Sequence, residues 1–496
     1  MKKGTRIVSL LLSVALILSL LSAVPAMADE LDEIVMAIMS LGSPNMDDTQ
    51  LVEDAINEIT VAKANVKVKL MIISAANYSQ QITLMLSGDE PLDLIYVGAA
   101  DLPTYVSRHQ ILPLNDLLKE YGQGILEYVG DYIDAAKVGD EIYAVPTIRD
   151  LAAAYGFTCR TDLADKYGID LSTVKGLSDL TPIFETIKNG EGEGFMPLVA
   201  ANVSATLMKY VSFIDPLMDN NGVLLNGGLD DTKVVLYEET DTYRELVTLL
   251  HQWYEAGYIQ PDIATAQEAY IPLTKAGKAF SWINVIKAGY EAQAGRNVGY
   301  QVKTVPLTDY LATTSQVDSI TWGLCVNSRV PEAAVKFLNL MYSDPDVVTL
   351  LTWGIEGKHY VINENGNATY PEGVDLTTCG WSINQGYMMG NQFLTPVWVG
   401  DDTDLWVRMK ADNDGAKKSL ALGFNFDSSS VKTEVAAVAN VRAEYQKLIE
   451  NGVADPASGI LDEYITKLKE AGIETIIAEK QAQLDAWLAG KQGLTF

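Results

Sequence analysis

The residues that usually carry chemistry are sparse in this chain. Its three histidines, His109, His251 and His359, stand apart, so local spacing builds neither a two-histidine zinc pair nor a multi-histidine centre. Cys159, Cys325 and Cys379 are widely separated and allow at most one bridge, which excludes a disulfide framework. Cys159 and Cys325 sit in apolar, strand-like contexts and read as small buried hydrophobes. There is no Gly-x-Ser-x-Gly elbow and no Gly-x-x-x-x-Gly-Lys-Ser/Thr phosphate loop. Asp412-Asn413-Asp414-Gly415 looks like part of a calcium loop, but with Gly415 in the sixth position the first would be Lys410 and the twelfth Ala421, neither of them a ligand. With 65 acidic residues some carboxylates must lie close together, and a glycosidase needs only two. The densest group, Asp401, Asp402 and Asp404, reads as a solvated loop before a helix.

What remains is aromatic: 24 tyrosines and 8 tryptophans. Trp253 and Trp487 fall on helical apolar faces and read as core. Trp282, Trp322, Trp381, Trp398 and Trp406 sit at strand ends or in polar, Gly-rich surroundings. Aromatic faces pack on the C–H faces of sugar rings while planar amides and carboxylates bond paired hydroxyls, so a carbohydrate cleft needs this mixture. For any one of these tryptophans a core position is an equal alternative. Trp282 alternates with Phe280 and Asn284, and Trp398 precedes an acidic loop. We therefore expect both rings to be partly exposed and to lose solvent when sugar binds.

The positioning elements follow from periodicity. Residues 33–97 read as a βαβαβ unit whose first helix carries Leu51, Val52, Ala55, Ile56 and Ile59 on one face, with Asn45 and Asp47 as candidate caps. Right-handed crossovers place its strands in one parallel sheet, with loops 40–48, 74–77 and 98–103 at the ligand-facing edge. A hairpin with Gly139-Asp140 at its turn leads out of this unit, and a second α/β pattern begins near Tyr155. Residues 240–256 are helical; 279–285, 298–305 and 320–326 are strand-like; helices follow from Pro331 and over 344–353; the final ~70 residues are helical by pattern.

At 496 residues, 48% hydrophobic and 20% charged, the chain is globular and long enough for two or three domains. A formal charge of −29 disfavours nucleic acid and anionic lipid as partners. Lys2, Lys3 and Arg6 precede an apolar stretch over 7–21 and then Ala26-Met27-Ala28, the pattern of a secretory signal peptide cleaved after Ala28. No cysteine lies near that site to accept a lipid.

Several segments carry a family resemblance: Glu141-Ile142-Tyr143-Ala144-Val145-Pro146, then Asn327-Ser328-Arg329-Val330-Pro331-Glu332-Ala333-Ala334, then Gly354-Ile355-Glu356-Gly357-Lys358-His359-Tyr360. Further on, Gly390-Asn391-Gln392-Phe393-Leu394, Leu422-Gly423-Phe424-Asn425-Phe426-Asp427 and a tail ending in Gln483-Leu484-Asp485-Ala486-Trp487 add to it. Over essentially the whole mature chain, this resembles the extracellular solute-binding proteins of carbohydrate ABC transporters, in particular oligosaccharide-binding lipoproteins with a distinctive C-terminal domain. The resemblance implies an α/β, two-lobed periplasmic-binding-protein (Venus-flytrap) fold with a helical C-terminal region. Residues 29–147 with 318–392 would form one lobe, and 148–317 with 393–496 the other. It implies a non-catalytic receptor that closes its lobes on an oligosaccharide and delivers it to ABC permease subunits at the outer face of the cytoplasmic membrane. The receptor would be a monomer without cofactor, metal or nucleic acid. Relatives in single-membrane bacteria are typically held by a lipidated cysteine, which is missing here at the cleavage site, so the chain would be periplasmic, released, or retained by its permease. By position the cleft residues are Ser43, Asp48, Asp101, Arg149, Trp282, Asn284, Trp322, Asn391, Gln392 and Trp398. Arg149 has an equal alternative as a structural ion pair with Asp150. The competing functions are an exported glycan-active enzyme using paired carboxylates and a peptide receptor of the same fold.

Overall fold

The computed structural model describes residues 31–99, 101–383 and 385–492; the expected signal peptide, residues 1–28, lies outside them. Strand β1 (Asp32–Ser40) is followed by helix α1 (Met46–Ala64), β2 (Val66–Ser74), α2 (Ala75–Leu86) and β3 (Leu94–Val97). Ile34, Met36, Ala37 and Ile38 of β1 are fully buried, as befits a strand covered on both faces. β2 alternates Val66, Val68 and Leu70 inward with Lys67 and Lys69 in solvent, the pattern of a sheet edge. Asn45 caps α1, its Oδ1 accepting the Asp48 N–H at 2.8 Å. The buried stripe of α1 is Asp48, Val52, Ile56 and Thr60. Leu51, expected on the apolar face, is exposed, because it projects roughly 100° around the helix from Val52.

A short hairpin pairs Lys137–Val138 with Glu141–Ile142 around Gly139, whose φ of 65° suits the turn. Then come β4 (Ala144–Pro146), β5 (Ala154–Arg160), β6 (Met196–Leu198), α3 (Asp241–Glu255), β7 (Ala279–Ile286), α4 (Tyr290–Val298), β8 (Val302–Pro306) and β9 (Thr321–Leu324). Where a strand was expected over 298–305, α4 runs to Val298 and Gly299 stops it in the left-handed region, so the strand starts only at Val302. The remainder is α5 (Pro331–Ser343), α6 (Pro345–Trp353), α7 (Leu405–Gly415), α8 (Lys432–Glu450), α9 (Ile460–Glu470) and α10 (Ile473–Gln492).

Two sheets result, each with its own core. The first has the order β2-β1-β3-β9-β4, with β1, β2 and β3 parallel and β9 antiparallel to both neighbours. Its core joins Val52 and Ile56 of α1 to Phe337 of α5, and Phe393, Leu394 and Leu422 also pack with it. The second sheet has the order β8-β5-β7-β6. Phe157, Phe184, Phe280 and Trp253 build its centre, with Phe184 edge-on to Trp253 at 5.0 Å, a contact adding about 0.5–1.5 kcal/mol beyond burial. Val438, Tyr445, Leu461, Tyr464, Leu468, Ile476 and Leu484 of the helical tail bury in this same core. The molecule is thus α/β and two-lobed with a helical C-terminal region.

All three cysteines are buried, free thiols. Burial pushes the Cys159 thiol up to about 12. Among the described residues no helix is long and apolar enough to cross a membrane, and no group of three or more His, Cys, Asp or Glu is placed to hold a metal ion.

Candidate functional site

The carboxyl ends of β1 and β3 and the start of β9 lie at one edge of the first sheet, where Thr321 pairs with Val97. The chain crossing between the sheets passes the same edge, with Thr147 N–H donating to Ile320 O at 3.1 Å. The loop after β1 is pinned there: Leu41 N–H donates to Gln385 Oε1 at 2.8 Å, and Gln385 Nε2 returns to Met39 O at 3.2 Å. Ser43 N–H donates to Ser382 Oγ at 3.3 Å. Gly42 is required, because a Cβ at that position would stand 1.9 Å from Ser382 O. These contacts shape a hollow of about 560 Å³ lined by Leu41, Ser43, Thr377, Ser382, Gln385 and Tyr387, among others.

Beside it, Tyr96 Oη donates to Ser319 O at 3.1 Å. A Cβ on Gly98 would lie 3.1 Å from Tyr96 Oη and 3.4 Å from Asp101 Oδ2, which places that exposed carboxylate next to the phenol. Burial pushes the Tyr96 phenol up, and the Asp101 charge adds to this. Burial also raises the Tyr387 phenol, partly offset by Gln385 and by the nearby Arg149 guanidinium. Among the described residues the edge presents hydroxyls, an amide, a carboxylate and phenol rings, an arrangement suited to binding a hydroxylated ligand.

Several expected cleft residues are engaged otherwise. Arg149 is buried and donates to Asp150 Oδ1 at 2.9 Å, Asp150 O at 2.7 Å and Gln316 O at 2.8 Å, and also to Ser319 Oγ. Lys287, just past β7, lies 3.5 Å from Asp150 Oδ2. Burial would push Asp150 up, but the Lys287 and Arg149 charges hold it below the ordinary carboxylate value. The Arg149–Asp150 ion pair, with Lys287, ties the crossing to the end of β7. Asp48 is a clamp as well. Its Oδ1 faces Lys358 Nζ at 2.9 Å and His359 Nε2 at 3.2 Å, and its Oδ2 accepts from Asn45 Nδ2 at 2.8 Å. Burial works against its charge, yet these donors bring it down to about 2. His359 Nδ1 accepts from Ile355 N–H at 2.9 Å, which leaves the ring proton on Nε2 facing Asp48. Asp48 thereby fastens α1 to the loop that leads into Cys379 and Ser382.

The expected exposure of Trp282 is corrected: the ring is 0% exposed, stacks on Tyr270 at 4.5 Å, and donates from Nε1 to Tyr290 Oη at 2.9 Å. β7 is an inner strand, so a side chain near its end remains covered. Asn284 spends its amide on Tyr290 Oη at 3.1 Å and Val285 N–H at 2.8 Å. Trp322, on the inner strand β9, is also 0% exposed, with Nε1 donating to Met388 O at 2.6 Å. Asn391 is buried between Tyr342 O and the Phe393 N–H, and the half-buried Gln392 pairs through its backbone with Ile148 O at 3.1 Å. Trp398 is half-buried in an aromatic group, 4.6 Å from Trp353 and 4.8 Å from Tyr370. Of the expected set, Ser43, Asp101 and Arg149 meet at one edge, while Trp282 and Asn284 belong to the second lobe. Tyr96, Ser382, Gln385 and Tyr387 were not anticipated; the Gly-rich, polar run from Gly380 to Gly390 was the available cue.

Residues 44–347 match the model of the bacterial extracellular solute-binding proteins, and residues 420–489 match a domain of unknown function, DUF3502. The chain is 26% identical over 473 residues to a carbohydrate ABC transporter substrate-binding protein of Streptococcus pneumoniae serotype 4 (strain ATCC BAA-334 / TIGR4), covering 94% of this chain and 93% of that protein. It is similar to the crystal structure of the N-glycan transport solute binding protein (NgtS) from Streptococcus pneumoniae, with a TM-score of 0.80 at 25% identity over 93% of this chain and 100% of that one. In complex with Man1GlcNAc the same protein matches with a TM-score of 0.69, covering 92% of this chain and 100% of that one at 25% identity. With the first family spanning more than half its length, this chain belongs to the bacterial extracellular solute-binding proteins.

Proposed function

We propose that this protein is a non-catalytic receptor outside the cytoplasmic membrane that binds an oligosaccharide between its two lobes and delivers it, as a monomer, to an ABC permease. The observation that carries the reading is the hydroxyl- and amide-lined hollow at the carboxyl edge of the first sheet. It lies beside the crossing where Arg149, Asp150 and Lys287 join the lobes. The carbohydrate transport relative and the NgtS complexes with Man1GlcNAc and Man5GlcNAc support an oligosaccharide cargo. The closing halves are built on the two sheets, residues 31–147 with 318–392 on the first and 148–317 with 393–492 on the second, except that Phe393, Leu394 and Leu422 pack on the first core. Ser43, Asp101 and Trp398 contact the cargo together with Ser382, Gln385 and Tyr387. No step of this function breaks a bond.

The mature chain, titrated with a panel of oligosaccharides in a thermal-shift assay, should be stabilised by one class of glycan. A ligand at 100 times its Kd adds roughly 2.7 kcal/mol. Mass analysis should return that glycan intact. Cleavage that survives rigorous repurification, or stabilisation by basic peptides alone, overturns the reading.

A further inference from the structure

Asp101 stands at the ligand-facing edge of the first sheet with its carboxylate uncommitted. It immediately precedes the short helix Leu102–Ser107, yet its side chain makes no capping bond to that helix. The residue is exposed, so the group is ionised at neutral pH. Among the described residues neither a donor nor a cation holds it down: partial burial alone acts, and pushes its carboxyl up. The neighbouring phenol offers it no proton, because Tyr96 Oη donates to Ser319 O at 3.1 Å. This corner of the edge is therefore made of acceptors and calls for donors on the cargo.

The surroundings supply no compensating positive charge. Among the described residues the adjacent hollow is lined by hydroxyl, amide and apolar groups and by no charged side chain. Tyr387 of that hollow and Asp101 both act electrostatically on the Tyr96 phenol, so carboxylate and hollow flank one ring. The nearby cations face other carboxylates, Arg149 and Lys287 that of Asp150 and Lys358 that of Asp48. A formal chain charge of −29 adds a field of the same sign as Asp101.

Two adjacent hydroxyls of a neutral sugar can donate to the two Asp101 oxygens. A uronate or sialate would instead bring further acceptors and a like charge to the same corner. Selectivity then comes from repelling the wrong glycan as well as from bonding the right one.

We propose that Asp101 makes this site selective for uncharged glycans, accepting hydroxyls of a neutral sugar and excluding glycans that carry uronic or sialic acids. This rests on the receptor reading above and narrows its substrate class.

Calorimetric titration of the full mature chain with matched tetrasaccharides tests it: mannotetraose against tetramannuronate, galactotetraose against tetragalacturonate, and cellotetraose against tetraglucuronate. Each pair exchanges CH2OH for carboxylate on the same linkage. The neutral member of a pair that binds should do so at least about tenfold more tightly than its uronate at about 20 mM salt, and the gap should narrow at about 0.5 M. Asp101→Asn, at an exposed position, should weaken the neutral tetrasaccharide about threefold and tighten the uronate, so that the ratio falls below about three. A uronate that binds the wild type as tightly as its neutral counterpart, a gap indifferent to salt, or a preference that survives Asp101→Asn overturns this proposal and leaves the receptor reading standing. Absence of binding by every neutral glycan, here and in the thermal-shift panel, overturns the receptor reading itself. The salt dependence of the wild type keeps the test decisive without any variant.

Discussion

Two buried carboxylate clusters, one in each lobe, resolve the same electrostatic problem in opposite ways. Asp48 in the first lobe is surrounded by donors, Lys358, Asn45 and His359, and stays charged with its carboxyl brought down to about 2. Glu450 in the second lobe is more deeply covered, its donors are neutral groups, Thr206, Tyr243 and Gln446, and the Glu238 carboxylate lies nearby. Burial pushes it up to about 7 despite the Arg442 charge. Depth of burial and the number and charge of the facing donors together set the state of each carboxylate. Asp48 joins segments far apart in sequence around the proposed cargo site, whereas the Glu238–Arg442–Glu450 group supports a cavity inside its own lobe.

Breaking the second cluster should cost the most. Arg442→Met strands Glu238 as an unpaired buried charge and should cost about 3–5 kcal/mol in urea unfolding, while adding Glu238→Gln should recover part of the loss. If Arg442→Met is no more costly than Asp48→Ala, the contrast between the clusters fails.

Next comes the pH dependence of Glu450. Its folded value of about 7 lies above the ordinary 4.5, so the native state holds more protons between those values, and stability should fall as pH rises through that window. The loss is up to ~3 kcal/mol. Glu450→Gln should flatten this slope, and a slope that persists in the variant would assign it to another group.

Asp48→Ala should cost about 1–3 kcal/mol, since it leaves Lys358 and His359 without their acceptor. Here the sign reverses. The wild-type contribution is complete above pH ~4 and disappears as pH falls toward the folded value of about 2, a trend visible as a steeper acid limb than in the variant.

The mildest change falls on ligand binding. Ser43→Ala and Tyr387→Phe each remove one hydroxyl from the first-lobe hollow, and should weaken oligosaccharide binding by about 0.5–1.5 kcal/mol with unfolding midpoints unchanged. Unaltered affinity in both variants would move the cargo site elsewhere along the edge.

Much of the architecture was legible because it is local. The β1-α1-β2-α2-β3 order, the turn at Gly139-Asp140, helix α3 with Tyr243, Leu250 and Trp253 inward, and the three tail helices all follow from periodicity and caps within a few residues. The site was legible only in part. Ser43 and Asp101 could be placed because loops at the carboxyl ends of parallel strands must face the same edge. Trp282, expected to be partly exposed, is core, because exposure depends on which strands flank β7 and sheet order is set by contacts distant in sequence. Leu41 meets Gln385 across 344 positions, and Arg442 meets Glu238 across 204. Periodicity, caps and composition already fix the elements, the charge and the lack of compact catalytic motifs. Which rings are core, which carboxylates are paired and where hydroxyls converge follow from the tertiary fold, because burial and pairing are properties of neighbours that the chain brings together only on folding.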